Sequence, residues 1–247
     1  MNDKIAIIFT TFLRNGLAMD TIASILGNWR DDYVLLVADQ NRPGAYLFEK
    51  PDDKINYYQL PFDCGLSYAR NFLVQKAKEM GCEFCLVTAD SIAFEKQLDL
   101  DPIKNFLRRC DNRGLVGFNL EGRAKWEWNF GGLDAHNFIL TVPKEQIVGV
   151  NINYVKVDLC KNFYLAKTEM LVEIPWDNDL KVAEHEDWAW RVKQNGKYLL
   201  FSTGYITAKY IDSKSPEYLV YRQRMYNEFR NKLRAKYKID GWVQIIK

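Results

Sequence analysis

The stretch "FCLVTADSIAF", residues 84–94, decides how the first half of the chain is interpreted. Leu86 and Val87 belong to an apolar run that indicates a buried strand, and the run ends at a single acid, Asp90. A turn is one explanation for an acid at this position, because Asp is common in turns and helix caps. Ligand binding is the other explanation, because open α/β sheets bind ligands at the carboxyl ends of their strands.

Strand and helix patterns alternate in the residues that precede this stretch. Apolar runs predict strands over 5–9, 33–38 and 55–60, and an apolar face predicts helices over 15–26 and 65–80. This β-α-β-α order predicts an α/β fold with a mostly parallel central sheet and helices on its faces.

The second half of the chain has a different pattern. Strands are predicted over 114–122, 136–142 and 198–211, a helix over 185–194, and a long helix over 216–238. Because no linker-like segment is visible, we predict a single domain over 1–212 followed by a helical extension over 213–247.

Composition limits the classes of function. A formal net charge of +2 gives no global attraction to nucleic acid. The five Cys residues have no disulfide-framework spacing, and Cys82 and Cys85 lack the second pair that a structural zinc site needs. We see neither a signal sequence nor an apolar segment long enough to cross a membrane, so we expect a soluble, cytoplasmic protein.

Acids occur where the strands of the predicted sheet should end. Asp39 follows the second strand, Asp90 follows the central strand, and Glu184, Glu186 and Asp187 begin a late helix. Each acid alone could be a turn or cap residue. Clustered carboxylates repel one another, so a fold that keeps them together does so mainly for a metal, a cationic group or proton transfer. We therefore expect Asp39, Asp90 and Asp187 to share one edge of the sheet.

Motifs spread over about residues 5–200 resemble a known enzyme family. They are "IIFTTFLRNGLAMDTIASI" (7–25), "LLVADQ" (35–40), "LPFDCGLSYARNFLV" (60–74), "LVTADSIAF" (86–94), "KNFYLAKTEML" (161–171) and "IPWDNDLKVAEHEDWAWRVKQNG" (174–196). In this order they resemble the nucleotide-sugar-dependent glycosyltransferases of the GT-A fold, family 2, and most of all the β-1,4-N-acetylgalactosaminyltransferase branch. The resemblance implies a Rossmann-like sheet with a nucleotide-sugar half over about 1–95 and an acceptor half over about 96–212.

The resemblance also implies roles for single residues in binding a UDP-sugar. Asp39 would hydrogen-bond the base, and the other implied contacts to the nucleotide sugar are Thr10, Thr11, Arg14, Arg70, Asn71, Thr88 and Asp90. A surface salt bridge is the alternative interpretation of Arg70.

A divalent metal, Mn²⁺ or Mg²⁺, is implied because "TADS" stands where the family has its D-x-D motif. Asp90 would be one ligand, and His185 is a second candidate. Such a cation often needs just one or two carboxylates besides phosphate oxygens. The chain departs from the motif at Thr88 and Ser91, and Lys209 stands about where many relatives have a metal-binding His. Either metal binding is weak or Lys209 supplies part of the positive charge.

In such a transfer an acceptor hydroxyl attacks the anomeric carbon while the nucleoside diphosphate leaves from the opposite face. Asp187 matches the family's general base, with Glu186 as its neighbour or substitute, and a base of this kind implies an inverting mechanism. The alternative is that these acids only stabilise a helix N-terminus.

The acceptor side is indicated by aromatic residues and by the C-terminal helix. Trp126, Trp128 and Trp188 are candidates for packing on sugar rings, with core packing as the alternative. The basic residues of the last helix indicate a solvated face, an anionic membrane surface or a nucleic-acid contact. We expect a glycan or glycolipid acceptor, and the alternative acceptor is a hydroxymethylated base in DNA. The alternative to an enzyme is a non-catalytic module that binds sugar nucleotides or glycans.

Overall fold

The computed structural model describes residues 3–49, 51–122, 130–131, 146–148, 152–211 and 215–238. Within these ranges the helices are α1 (Asn15–Gly27), α2 (Leu66–Glu79), α3 (Asp101–Arg108), α4 (Thr168–Glu173), α5 (Glu184–Asn195) and α6 (Pro216–Tyr237). The strands are β1 (Ile5–Thr11), β2 (Tyr33–Asp39), β3 (Ile55–Gln59), β4 (Phe84–Val87), β5 (Ile92–Ala93), β6 (Arg113–Glu121), β7 (Phe130–Gly131), β8 (Gln146–Val148), β9 (Asn153–Val157), β10 (Leu159–Cys160), β11 (Tyr164–Lys167) and β12 (Leu199–Tyr210).

One mixed sheet organises the described residues. Its strand order is β3-β2-β1-β4-β11-β6-β12-β9-β8, and β5 pairs with β12 outside this path. Strands β1 to β4 are parallel to one another, as predicted for the first half. The second half makes the sheet mixed, because β11 runs antiparallel to both of its neighbours and β9 runs antiparallel to β12, whereas β6 and β12 are parallel.

Apolar residues alternate along the central strands and supply both faces of the sheet. Ile5, Ile7 and Phe9 of β1 face the layer that contains α1 and α3, whereas Ala6 and Ile8 face the layer that contains α2, α4 and α5. Because strands buried on both faces have no polar side to expose, β1 and β4 appear in the sequence as continuous apolar runs.

Helix α6 lies across the loops at the carboxyl ends of the parallel strands. The Ser215 hydroxyl donates a hydrogen bond to the Leu13 carbonyl oxygen near one end of the helix. Near the other end, Phe229 and Leu233 are buried against Leu180 and Ala183. α6 therefore packs against the domain at both ends rather than standing free in solvent.

Some predictions fall outside what this structure tests. The strand predicted over 136–142 lies outside the described residues. The division into a domain over 1–212 and an extension over 213–247 stays a prediction. In the described part of the chain, no helix is both long enough and apolar enough to cross a membrane.

Candidate functional site

The loops after β1, β2 and β4 meet at the edge of the sheet that is formed by the carboxyl ends of its parallel strands. Thr11, the last residue of β1, lies opposite Asp39, the last residue of β2, and Thr10 is buried one position earlier. The Thr88 amide donates to the Ile8 carbonyl oxygen, so the chain after β4 also leaves at this edge. Parallel strands impose this meeting, because their carboxyl ends point the same way.

Three non-glycine residues in the loops beside this edge have positive φ angles, which strains the backbone. Leu13, Asp63 and Ala183 have φ angles of 55°, 51° and 63°, a region that non-glycine residues seldom occupy. Leu13 follows β1, Asp63 precedes α2, and Ala183 is the N-cap residue of α5. Strained residues of this kind persist where the surrounding structure holds them, and they concentrate at functional sites.

Arg14 and Asp90 form a buried ion pair at the centre of the edge. The Arg14 Nη2 donates to Asp90 Oδ1, and the Asp90 side chain is only 1% exposed. The Arg14 guanidinium lies 4.0 Å from the ring centroid of Tyr218 on α6. Burial raises the pKa of Asp90 to about 6, although the charge of Arg14 acts in the opposite direction.

Polar atoms around this pair lack partners. Four buried atoms form no hydrogen bond with any described residue: Thr11 Oγ1, Arg14 Nε, Thr88 Oγ1 and Asp90 Oδ2. Thr11 is close enough to Asp90 to lower its pKa, but no hydrogen bond of acceptable geometry joins them. Buried polar atoms are normally paired, and each one left unpaired costs about 1–3 kcal/mol. These four atoms, which we call the edge cluster, are therefore suited to a polar ligand.

Asp39 lies beside the edge cluster but already has partners. Its carboxylate accepts hydrogen bonds from the amides of Asn41 and Leu47 and from the Tyr57 hydroxyl. In this structure Asp39 thus fixes the loop after β2. A contact between Asp39 and the nucleobase of a bound nucleotide would be additional to these hydrogen bonds.

Arg70 and Asn71 join α2 to the segment before α5. Arg70 Nη1 lies 2.9 Å from Glu184 Oε1, and both side chains are almost fully buried. Asn71 donates to the Trp176 carbonyl oxygen and to Asn178, and it accepts from the Trp176 amide. Both residues therefore make contacts that hold the fold together, and the predicted contacts with the nucleotide and its diphosphate stay predictions. Arg70 forms a salt bridge, as the alternative interpretation had it, although the bridge is buried.

Two further charged groups extend the Arg70 pair. Burial would raise the pKa of Glu184, but the His185 hydrogen bond and the Arg70 charge lower it to about 2. His185 Nδ1 lies 3.2 Å from Glu186 Oε2, and these neighbouring carboxylates raise the pKa of His185 against the effect of its burial. His185 therefore belongs to the acids of α5, and no hydrogen bond or ion pair among the described residues links it to Asp90.

Asp187 is held by the last turn of α6. Its Oδ1 accepts from Lys236 Nζ and from the Tyr237 hydroxyl, both at 2.7 Å, and its Oδ2 accepts from Arg191 Nε at 2.8 Å. The side chain is completely buried. As positioned, Asp187 anchors α6, and both of its oxygens already accept hydrogen bonds in a completely buried setting.

Glu186 is the more accessible of the two predicted catalytic acids. Its side chain is 21% exposed. Its Oε2 is itself buried and accepts no hydrogen bond of acceptable geometry within the described structure, although His185 Nδ1 lies 3.2 Å away. Helix α5 packs on the sheet near the end of β4, because Trp188 stacks against Tyr164, which pairs with Val87.

The predicted acceptor tryptophans have different outcomes. Trp188 is 3% exposed, and its indole donates to the Ile174 carbonyl oxygen at 2.6 Å. The prediction that Trp188 contacts an acceptor is therefore corrected, because its ring is part of the core. Trp126 and Trp128 lie outside the described residues and stay predictions.

The described residues do not fit a protein-built metal centre. No group of three or more His, Cys, Asp or Glu side chains in the described part of the chain could hold an ion. Asp90 Oδ1 is paired with a guanidinium, and Thr88 provides a neutral hydroxyl where the family motif has an acid. The predicted pair of metal ligands, Asp90 and His185, is therefore not assembled in this structure.

A groove of about 510 Å³ lies at the opposite end of the parallel strands, where β1 and β2 begin. Its lining includes Trp29, Arg30 and Lys104. Its charged side chains pair with each other, since Arg30 and Lys104 both bind Asp32 and Asp101. We do not assign the site to this groove.

The interactions of α6 were missed by the sequence analysis. Tyr218, Lys236 and Tyr237 contact predicted site residues that precede them by about 50 to 200 positions. The alternation of aromatic and basic residues along α6 was visible in the sequence, but its partners were not.

Comparisons with known proteins identify the fold. No family model and no curated protein sequence matches the chain. Among solved structures, residues 1–349 of S. aureus TarS in complex with UDP-GlcNAc match with a TM-score of 0.57 and 15% identity, covering 85% of this chain and 60% of that one. GalNAc-T7 with UDP, GalNAc and Mn²⁺ matches with a TM-score of 0.66 and 13% identity, covering 86% of this chain and 44% of that one. The chain therefore has the GT-A glycosyltransferase fold, and it spans 60% or less of these two proteins.

Proposed function

We propose that this chain is a glycosyltransferase that moves a hexose or N-acetylhexosamine from a UDP-sugar to a hydroxyl of a glycan or glycolipid, with inversion at the anomeric carbon. The observation that carries the proposal is the edge cluster, which presents unpartnered polar atoms where open α/β sheets bind their ligands. The GT-A fold and the UDP and UDP-GlcNAc named for the TarS structures support the choice of donor.

The reaction needs two kinds of help from the protein. A base must accept the proton of the attacking hydroxyl, and positive charge or hydrogen-bond donors must stabilise the departing diphosphate. The transition state has oxocarbenium-like character, as in glycoside hydrolysis.

We assign the base to Glu186, and this moves the role from Asp187. Glu186 is partly exposed and pairs with His185 at 3.2 Å, whereas Asp187 is completely buried under three donors. The hydrogen bonds from Lys236 and Tyr237 hold Asp187 on α6 and would compete with a proton arriving from an acceptor hydroxyl.

At the donor side, Thr11, Arg14 and Thr88 supply hydrogen-bond donors for the nucleotide sugar. Each contributes an atom that has no hydrogen-bond partner among the described residues. Asp39 lies next to Thr11 in the register of β1 and β2 and is the candidate contact for the base. Trp126 and Trp128 remain the candidates for the acceptor side.

Turnover of UDP-sugars tests this function. The full chain, incubated with UDP-glucose, UDP-galactose, UDP-GlcNAc or UDP-GalNAc, is expected to release UDP slowly from at least one of them, and faster when a glycan acceptor is added. UDP release is measured by a coupled assay, with the heat-denatured chain as the control. UDP binding without any release would favour the non-catalytic module instead, and transfer only to hydroxymethylated DNA would favour that acceptor.

A further inference from the structure

We propose that Arg14, clamped between Asp90 and Tyr218, supplies the positive charge for the donor's diphosphate, so that the chain needs no divalent ion. This inference rests on the proposed function and deepens it. It starts from the disagreement between the metal that the fold family implies and the residues that this chain presents.

The Arg14 guanidinium takes the place that a cation would have on Asp90. Its Nη2 binds Asp90 Oδ1, and both side chains are largely or fully buried. Arg carries its charge at every relevant pH, and a second cation beside it would be repelled. The position holds one carboxylate only, because Thr88 adds no second acid, so no excess of negative charge at the Arg14–Asp90 pair requires a divalent ion.

Tyr218 fixes the orientation of the guanidinium. Its ring centroid lies 4.0 Å from Arg14 Cζ, a distance typical of a cation–π contact. With one face on a ring and one edge on Asp90, the guanidinium retains Nε as a buried donor that no described residue accepts. Guanidinium groups bind phosphate oxygens through paired N–H donors, so an Arg held in this way is prepared for a diphosphate.

The N-terminus of α1 adds to the same attraction. Arg14 is the N-cap residue of α1, and no side chain of the described residues caps this end. The first turn contains no acid, and a Cβ atom placed on Gly16 would meet nothing within 4 Å. Uncapped N–H groups at a helix start favour anions, and the Arg14 charge stands at the same point.

Lys209 does not provide the alternative charge that the sequence suggested. Its side chain is 60% exposed, and its Nζ lies 3.6 Å from Glu95. Of the two cationic residues considered, Arg14 is therefore the one placed at the edge cluster.

Calorimetric binding of UDP and UMP tests the proposal in the full chain, with either excess EDTA or added Mn²⁺. Wild type is expected to bind UDP equally well in both conditions. It should prefer UDP to UMP about 10- to 100-fold, the range expected when charge-assisted hydrogen bonds reach the second phosphate. The double variant Arg14→Gln with Asp90→Asn, which removes both charges of the pair, should lose this preference, and Arg109→Gln, an exposed arginine before β6, serves as the control.

Each outcome separates this proposal from the proposed function. UDP binding that requires Mn²⁺ would overturn the inference and leave the function standing, whereas no UDP binding in either condition would end both. An unchanged preference for UDP in the double variant would also overturn the inference. If the double variant fails to fold, the single variant Arg14→Lys tests the inference instead. Lys keeps the charge but lacks the planar fork of donors, so the preference for UDP over UMP is expected to weaken, and an unchanged preference would overturn the inference.

Discussion

Replacing Glu186 by Gln is expected to lower the rate of sugar transfer about 10²–10⁴-fold, the contribution typical of a general base. Gln has nearly the same shape as Glu but cannot accept the proton of the acceptor hydroxyl. Because the Glu186 side chain is partly exposed, the melting temperature should change little. The measurement is single-turnover transfer with saturating donor, together with thermal unfolding of both proteins.

Asp187→Asn is the matched control, since it changes the neighbouring acid in the same way. It removes the charge that Lys236 and Arg191 share, so it is expected to lower the melting temperature and retain most of the transfer rate. The opposite pattern, a stable Asp187→Asn without activity and an active Glu186→Gln, would return the base to Asp187. It would also mean that the last turn of α6 leaves Asp187 during turnover.

Replacing Arg70 by Met is expected to lower the free energy of unfolding by about 3–5 kcal/mol, the cost of leaving one member of a buried ion pair without its partner. Arg70 and Glu184 are 3% and 4% exposed, so water cannot take the place of the lost guanidinium. The pair also joins α2 to α5, and its loss should loosen the first turn of α5. Urea unfolding at neutral pH measures the change.

Two controls show whether burial causes this loss. The double variant Arg70→Met with Glu184→Gln removes both charges and should recover part of the stability. Lys76→Met breaks the exposed pair with Glu79 and should have little effect, because surface ion pairs contribute little. Equal losses in Arg70→Met and Lys76→Met would contradict the structural role assigned to Arg70.

The first half of the fold could be predicted from the sequence because its signals are local. Apolar runs such as 5–9 and 33–38 end at polar residues, and these ends coincide with the ends of β1 and β2 within two residues. Parallel strands then bring Thr11, Asp39 and Thr88 to one edge without any knowledge of side-chain contacts. The predicted resemblance to the GT-A fold is confirmed, whereas the N-acetylgalactosaminyltransferase branch stays a prediction.

The partners of charged and aromatic side chains could not be predicted in this way. Helix periodicity places Trp188 and Arg70 on a face of a helix, but it does not say what covers that face. Glu184 covers Arg70, and the core covers Trp188, through contacts between segments far apart in sequence. For the same reason the sequence predicts a charged residue at Asp187, but it does not predict that Lys236 donates a hydrogen bond to its carboxylate.

The central claim is that the edge cluster binds a UDP-sugar. The most direct test compares the affinity for UDP of wild type with that of Thr88→Val. Val has the shape of Thr without the hydroxyl, and that hydroxyl has no partner among the described residues. The variant is therefore expected to be at least as stable as wild type but to bind UDP about 3- to 10-fold more weakly, the effect of one lost hydrogen bond. Equal UDP affinity in the two proteins, or no binding by either, would contradict the claim.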